Sequence, residues 1–164
     1  MQRTLFLATA VLLADQLTKW LILNAVMQPP QVIEITGFFN LVLTYNTGVS
    51  FGLFQGGAAW KPYLLIAVNL AVSVGLLIWL RKEIAKEGSG GLMPLAVGLV
   101  VGGALGNAVD RLYLPGVVDF LDFHLAGWHW PAFNLADSAI VCGVVLIVAD
   151  GLFQPGRKGN KGRG

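Results

Sequence analysis

Charge is scarce in this chain: Asp, Glu, Lys and Arg make up 12% of its 164 residues, about half the usual share of a soluble domain. The formal net charge is only +2, too little to attract a polyanion, so nucleic acid is not an expected partner. One cysteine, Cys142, excludes an intrachain disulfide and suggests no thiolate metal site, and its place in an apolar run reads as packing. There are two histidines, His124 and His129, near Asp122. They lack the helical register of the strong zinc motifs, so no metal or other cofactor is expected. Neither stands where it would activate Ser138, which weighs against a serine nucleophile.

What fills the chain instead is apolar. Hydrophobic residues make up 55% before glycine is counted, and mean hydropathy is +0.69, whereas a soluble domain is about 45 to 50% apolar with glycine included. Four stretches are long enough to cross roughly 30 Å of hydrocarbon: about residues 4 to 23, 62 to 80, 92 to 111 and 131 to 153. Arg3 followed by an apolar run has the look of a signal peptide, but the cleavage-like Ala8-Thr9-Ala10 lies inside the run, so the first segment reads as a retained helix. Ala67, Ala71 and Gly75 form one small-residue stripe and Gly98, Gly102 and Gly106 another, both expected to let helices approach closely. Asn69 is expected to bond to a neighbouring helix. Between the first two spans, about residues 26 to 61, Val32 to Ile35 and Phe38 to Tyr45 are β-rich, which predicts a small sheet outside the hydrocarbon. Phe51-Gly52-Leu53-Phe54 is expected to anchor at the interface.

The chain thus reads as an all-α membrane protein of four transmembrane helices with a small extracytoplasmic β-cradle. Residues 1 to 155 are expected to form one membrane-embedded domain, monomeric and in contact with membrane lipids, and residues 156 to 164 a basic disordered tail. Arg3, Arg81, Lys82, Lys86, Arg157, Lys158, Lys161 and Arg163 lie on one side, against Lys19, Lys61 and Arg111 near the other. By the positive-inside rule both termini are cytoplasmic and the sheet faces outward. Trp128-His129-Trp130 reads as an interfacial aromatic belt.

Against that background the ionisable groups within the spans call for a purpose. Asp15 and Lys19 are one helical turn apart and can pair. At about 1.5 Å per residue, Lys19 is about 22 Å above the inner edge and Asp137 about 9 Å below the outer one, nearly level in a 30 Å core. Asp119 opens the stretch before the last span. Two carboxyls brought together can share a proton and activate water, with Asn46, Asn107 and Asn134 supplying uncharged hydrogen bonds around them. On spacing alone Asp119 also reads as a turn residue and Asp137 as a first-turn helix charge, Asp15 with Lys19 and Asp110 with Arg111 as structural pairs, and Asp122 as a solvated loop residue. A small ion or proton transporter is the alternative function, since such charges also mark ion pathways; no internal repeat supports it.

Asp15-Gln16-Leu17-Thr18-Lys19, Asn46-Thr47-Gly48-Val49-Ser50-Phe51-Gly52, Gly106-Asn107-Ala108-Val109-Asp110-Arg111, Val117-Val118-Asp119-Phe120 and Phe133-Asn134-Leu135-Ala136-Asp137-Ser138 together resemble the bacterial lipoprotein signal peptidases, or signal peptidase II. The resemblance runs from the first span to the start of the fourth. It implies an aspartic endopeptidase of the bacterial inner membrane that cuts prolipoproteins just before a diacylglyceryl-modified cysteine. Asp119 and Asp137 would be the catalytic pair, with Asp15, Lys19, Asn46, Gly48, Asn107, Asp110, Arg111 and Asn134 shaping the site, and no metal.

Overall fold

The computed structural model describes residues 1–48, 60–87 and 91–153. The expected anchor at 51–54 and the tail at 156–164 lie outside the described residues. Four helices, α1 (Gln2–Leu21), α2 (Lys61–Glu87), α3 (Met93–Tyr113) and α4 (Leu135–Phe153), are joined by four strands: β1 (Ile33–Thr36), β2 (Phe39–Asn46), β3 (Val117–Leu125) and β4 (Trp128–His129). Each helix is long and apolar enough to cross a membrane.

Helix α3 is the centre of the bundle. In its span 72% of residues are buried, against 11 to 22% in the other three, so α1, α2 and α4 surround it and turn apolar faces outward to lipid. Close approach is built into its sequence. A Cβ on Gly102 would stand 2.6 Å from the Ala8 carbonyl oxygen, and one on Gly106 would stand 2.5 Å from Oδ2 of Asp15. The α3 glycine stripe is therefore the groove that receives the α1 backbone, as its four-residue spacing predicts.

The second stripe does not behave that way. Ala67, Ala71 and Gly75 are exposed, and a Cβ on Gly75 would meet nothing within 4 Å. Helix α2 instead packs through Leu76, Leu77, Leu80 and Ile84 onto Ala8, Val97 and Val101. Ile84 continues that face, which is why the helix runs to Glu87 and does not end at residue 80. On the same side Asn69 donates to the Ala104 carbonyl at 3.1 Å, the interhelical bond its position suggested. Cys142 is exposed on α4, so it is a surface residue of the bundle and not part of its packing.

The sheet is antiparallel in the order β1-β2-β3-β4. Its first two strands fall in the expected 26–61 region, but half of it comes from residues 117 to 129, beyond α3. Leu41 faces Leu121, Thr44 faces Asp119 and Asn46 faces Val117, with a bulge on β2 between Leu41 and Thr44. Ala126 and Gly127 both have positive φ, the conformation that a two-residue hairpin between β3 and β4 requires. The sheet sits on the end of α1: a wider turn at Ile22–Val26 brings Ile22 and Met27 against Val118 and Phe120. Asp119 is thus on a buried strand, not a turn.

Gly102→Ala is expected to destabilise the bundle by about 1 to 3 kcal/mol, because backbone must move to admit the methyl. Gly75→Ala, on an open helix face, is expected to be neutral or stabilising by up to about 1 kcal/mol. Thermal unfolding of the two variants side by side in one detergent checks the contrast.

Candidate active site

Helix α4 begins at Leu135, not at Pro131, because the chain ahead of it is held extended: Phe133 exchanges backbone hydrogen bonds with Leu121 of β3. Asn134 then caps the helix, its Oδ1 accepting the Asp137 N–H at 2.9 Å, which satisfies a first-turn donor. The Nδ2 of that side chain therefore points the other way. It donates to Oδ1 of Asp119 at 2.7 Å, to the Val118 carbonyl at 3.2 Å and to Oδ1 of Asn107 at 3.2 Å. Asn107, on α3, donates from Nδ2 to Oδ1 of Asp137 at 2.7 Å. Asp119 and Asp137 thus hang from one pair of bonded asparagines, and the charge of Asp137 is felt at Asp119.

Asn46, near the end of β2, donates to the second oxygen of Asp119 at 3.2 Å, while its Oδ1 accepts the Gly48 N–H. Arg111 donates to the carbonyls of Asn107 (3.1 Å) and Gly48 (3.3 Å), joining the turn after β2 to α3. Burial, and after it the nearby charge of Asp137, push the Asp119 carboxyl up to about 7 against the opposing bonds from Asn46 and Asn134 and the charge of Lys19.

Beneath this pair lies a second charged group. Lys19 is buried, with its ammonium 2.8 Å from Asp15 and 2.9 Å from Asp110, and it also donates to Oδ1 of Asn107 at 3.2 Å. Asp15 and Lys19 pair as their spacing predicts. The partner of Asp110 is Lys19 and not Arg111. Gln16 donates to Asp110 at 2.9 Å and to the Gly106 carbonyl at 3.2 Å. All ten sequence-derived candidates therefore lie in one connected network. Gln16 is the member that sequence reasoning passed over, though it sits inside the first motif.

The profile of the family described as signal peptidase (SPase) II matches residues 7–153. The chain belongs to the signal peptidase II family. It is 45% identical over 142 residues to the lipoprotein signal peptidase of Burkholderia vietnamiensis, covering 87% of this chain and 82% of that protein. Identity with the lipoprotein signal peptidase of Pseudoalteromonas atlantica is 42% over 149 residues, covering 90% and 88%. Among solved structures, a bacterial membrane enzyme determined by the in meso method at 2.3 Å superposes with a TM-score of 0.82 at 28% identity, covering 100% of this chain and 96% of that one. A peptidase family gives the transporter alternative no support.

One polar cluster of this signal peptidase II chain lies apart from the network. Asp122 is buried, not solvated. Asn40 donates to it at 2.9 Å, and His129 Nδ1 lies 2.9 and 3.0 Å from its two oxygens. His124 reaches Asn40 at 3.3 Å and stacks on His129. The cluster ties β2, β3 and β4 together just before the chain turns into Asn134. Burial acts to raise the Asp122 carboxyl, but the bonds from His129 and Asn40 and the charges of the two imidazoles outweigh it, and the group is held below the usual carboxylate range.

A depressed carboxylate stabilises the fold above its unfolded pKa of about 3.9, and that contribution disappears as pH falls through the lower folded value. Asp122→Ala is therefore expected to lower stability by about 1.5 to 3 kcal/mol at neutral pH and by progressively less below about pH 4. Unfolding of wild type and variant across that range, in one detergent, measures the difference.

Proposed function

We propose that this chain removes signal peptides from prolipoproteins as an aspartic endopeptidase, with Asp119 and Asp137 as its catalytic pair. Membership of the signal peptidase II family supports the reaction. The observation that carries the catalytic assignment is the shared support of the two carboxyls: Asn134 bonds Asp119, Asn107 bonds Asp137, and the two amides bond each other.

The chemistry follows from the protonation the site favours. Asp119, pushed up to about 7, holds a proton near neutral pH. Asp137 stands in the first turn of α4, where the helix end favours negative charge, and accepts a short bond from Asn107. Asp137 is then the base that takes a proton from water, and Asp119 the acid that polarises the scissile carbonyl. As the tetrahedral intermediate collapses, the proton taken by Asp137 goes to the leaving amine.

The substrate is proposed to be a prolipoprotein cut just before a diacylglyceryl-modified cysteine. A lipid anchor would hold the scissile bond just inside a membrane surface, and the polar network lies at the sheet-bearing end of the bundle. The eight-to-three division of basic residues supports cytoplasmic termini and a sheet outside the bacterial inner membrane. Trp128 and Trp130 are exposed on the hairpin, as residues of an interfacial belt would be. Residues 1 to 155 are taken as one peptidase domain working as a monomer.

Asp119→Asn and Asp137→Asn are each expected to lower cleavage of a diacylglyceryl-modified prolipoprotein peptide by about 100- to 10,000-fold, with normal membrane insertion. Substantial cleavage by either purified variant overturns the assignment. Because Asp119 must be protonated, kcat/KM of the wild type is expected to fall as pH rises through about 7, the sign opposite to that of an enzyme needing both carboxylates ionised.

A further inference from the structure

Lys19 touches neither Asp119 nor Asp137, yet three separate paths connect it to them. Its ammonium has three protons and three acceptors: Asp15 Oδ2, Asp110 Oδ2 and Asn107 Oδ1. Each of those acceptors leads to the pair. Asp15, through Oδ1, accepts the backbone N–H of Ala136 at 2.9 Å, the residue just before Asp137. Asp110, through Oδ2, accepts the backbone N–H of Val118 at 3.0 Å, the residue just before Asp119. Asn107 donates directly to Asp137.

The third path has a direction that the first two lack. A carboxamide presents an acceptor on one side and a donor on the other, and only its surroundings decide which faces where. An ammonium can only donate, so Lys19 requires the oxygen of Asn107 on its side and turns Nδ2 toward Asp137. A reversed amide would set NH2 against the ammonium and against the NH2 of Asn134, and would aim an oxygen at a carboxylate. For Asn134 the same choice is made by the Asp137 N–H, another group that can only donate. Without Lys19 the only group among the described residues left holding the Asn107 oxygen is Asn134 Nδ2 at 3.2 Å.

We propose that Lys19 is a positioning residue for the peptidase reaction: by orienting the Asn107 amide it delivers a hydrogen-bond donor to Asp137, while its two carboxylate partners hold the backbone ahead of each aspartate. The inference rests on the reading of Asp119 and Asp137 as the catalytic pair.

The test uses the full chain in lipid nanodiscs, with a diacylglyceryl-modified prolipoprotein peptide as substrate and 15N-labelled asparagine as the probe. Lys19→Met is expected to lower kcat by about 10- to 100-fold, the worth of one charge-assisted bond, with KM changed by less than about threefold, the mark of an interaction that acts in the transition state. The Asn107 side-chain amide resonance should lose the signature of bonding to a carboxylate while that of Asn134 keeps its own. Lys19→Arg, which restores a cation that can only donate, should recover part of both. Should Lys19→Met fail to insert, Asn107→Leu serves in its place: a side chain of similar size there neither accepts from Lys19 nor donates to Asp137 and adds no charge, so kcat should fall by at least the same factor. Wild-type kcat in Asn107→Leu, or an unchanged Asn107 resonance in Lys19→Met, overturns the proposal. Retained cleavage by Asp119→Asn would instead overturn the catalytic pair beneath it.

Discussion

The structure depends on one buried ammonium set between two carboxylates. Removing three charges from water costs several kcal/mol for each, and is tolerated only where every donor and lone pair finds a partner. Here they do. Lys19 spends its three protons on Asp15, Asp110 and Asn107, and the carboxylates take further bonds from Gln16, Ala136 and Val118. These bonds draw on α1, α3, β3 and α4, so the cluster is the point at which every element carrying a candidate residue after the first sheet hairpin is attached.

That constraint explains features that look unrelated along the chain. Lys19 and Gln16 can reach Asp110 only if α1 lies almost in van der Waals contact with α3, and a methyl group on Gly106 would occupy the place of the Asp15 carboxylate. The glycine stripe of α3 and the ion cluster are therefore one device, the first setting the helix separation that the second needs. It also accounts for the burial of α3: a helix approached on one side by α1, on another by α4 and on a third by α2 has little of its surface left for lipid. The sheet is subject to the same geometry, since Val118, whose N–H is held by Asp110, also packs in the core that joins the sheet to α1.

Much of this was legible in the sequence, and the parts that were not have identifiable causes. Long apolar runs gave the four spans, because length and hydropathy are properties of a segment taken alone. Asp15 with Lys19 was legible from helical spacing, and the α3 stripe from its glycines. The ends of elements were less so: Ile84 extends α2 by packing on a core that sequence does not reveal, and Phe133 delays α4 by pairing with Leu121. Strand β3 was hidden by Asp119 and Asp122, residues that strands usually avoid. Both are tolerated because each meets donors from Asn46, Asn134, Asn40 or His129, all distant in sequence except His129. For the same reason Asp122 read as solvated. The stripe on α2 shows the converse, since small residues at four-residue spacing permit a close contact but do not create one.

The choice of asparagine around the two aspartates follows from what the cations nearby are made to do. A lysine or arginine bonded directly to Asp119 would favour its ionised form and draw its proton affinity toward the ordinary carboxylate range or below it. The two cations closest to the site are engaged elsewhere: Lys19 by Asp15 and Asp110, Arg111 by the carbonyl oxygens of Asn107 and Gly48. Neutral amides are left to make the contacts with the pair. They orient the carboxyls with bonds of 2.7 Å while contributing no net charge. The rise of the Asp119 carboxyl to about 7 thus comes first from burial and then from the charge of Asp137, and the bonding of Lys19 and Arg111 to other partners leaves no cation in direct contact to reverse it.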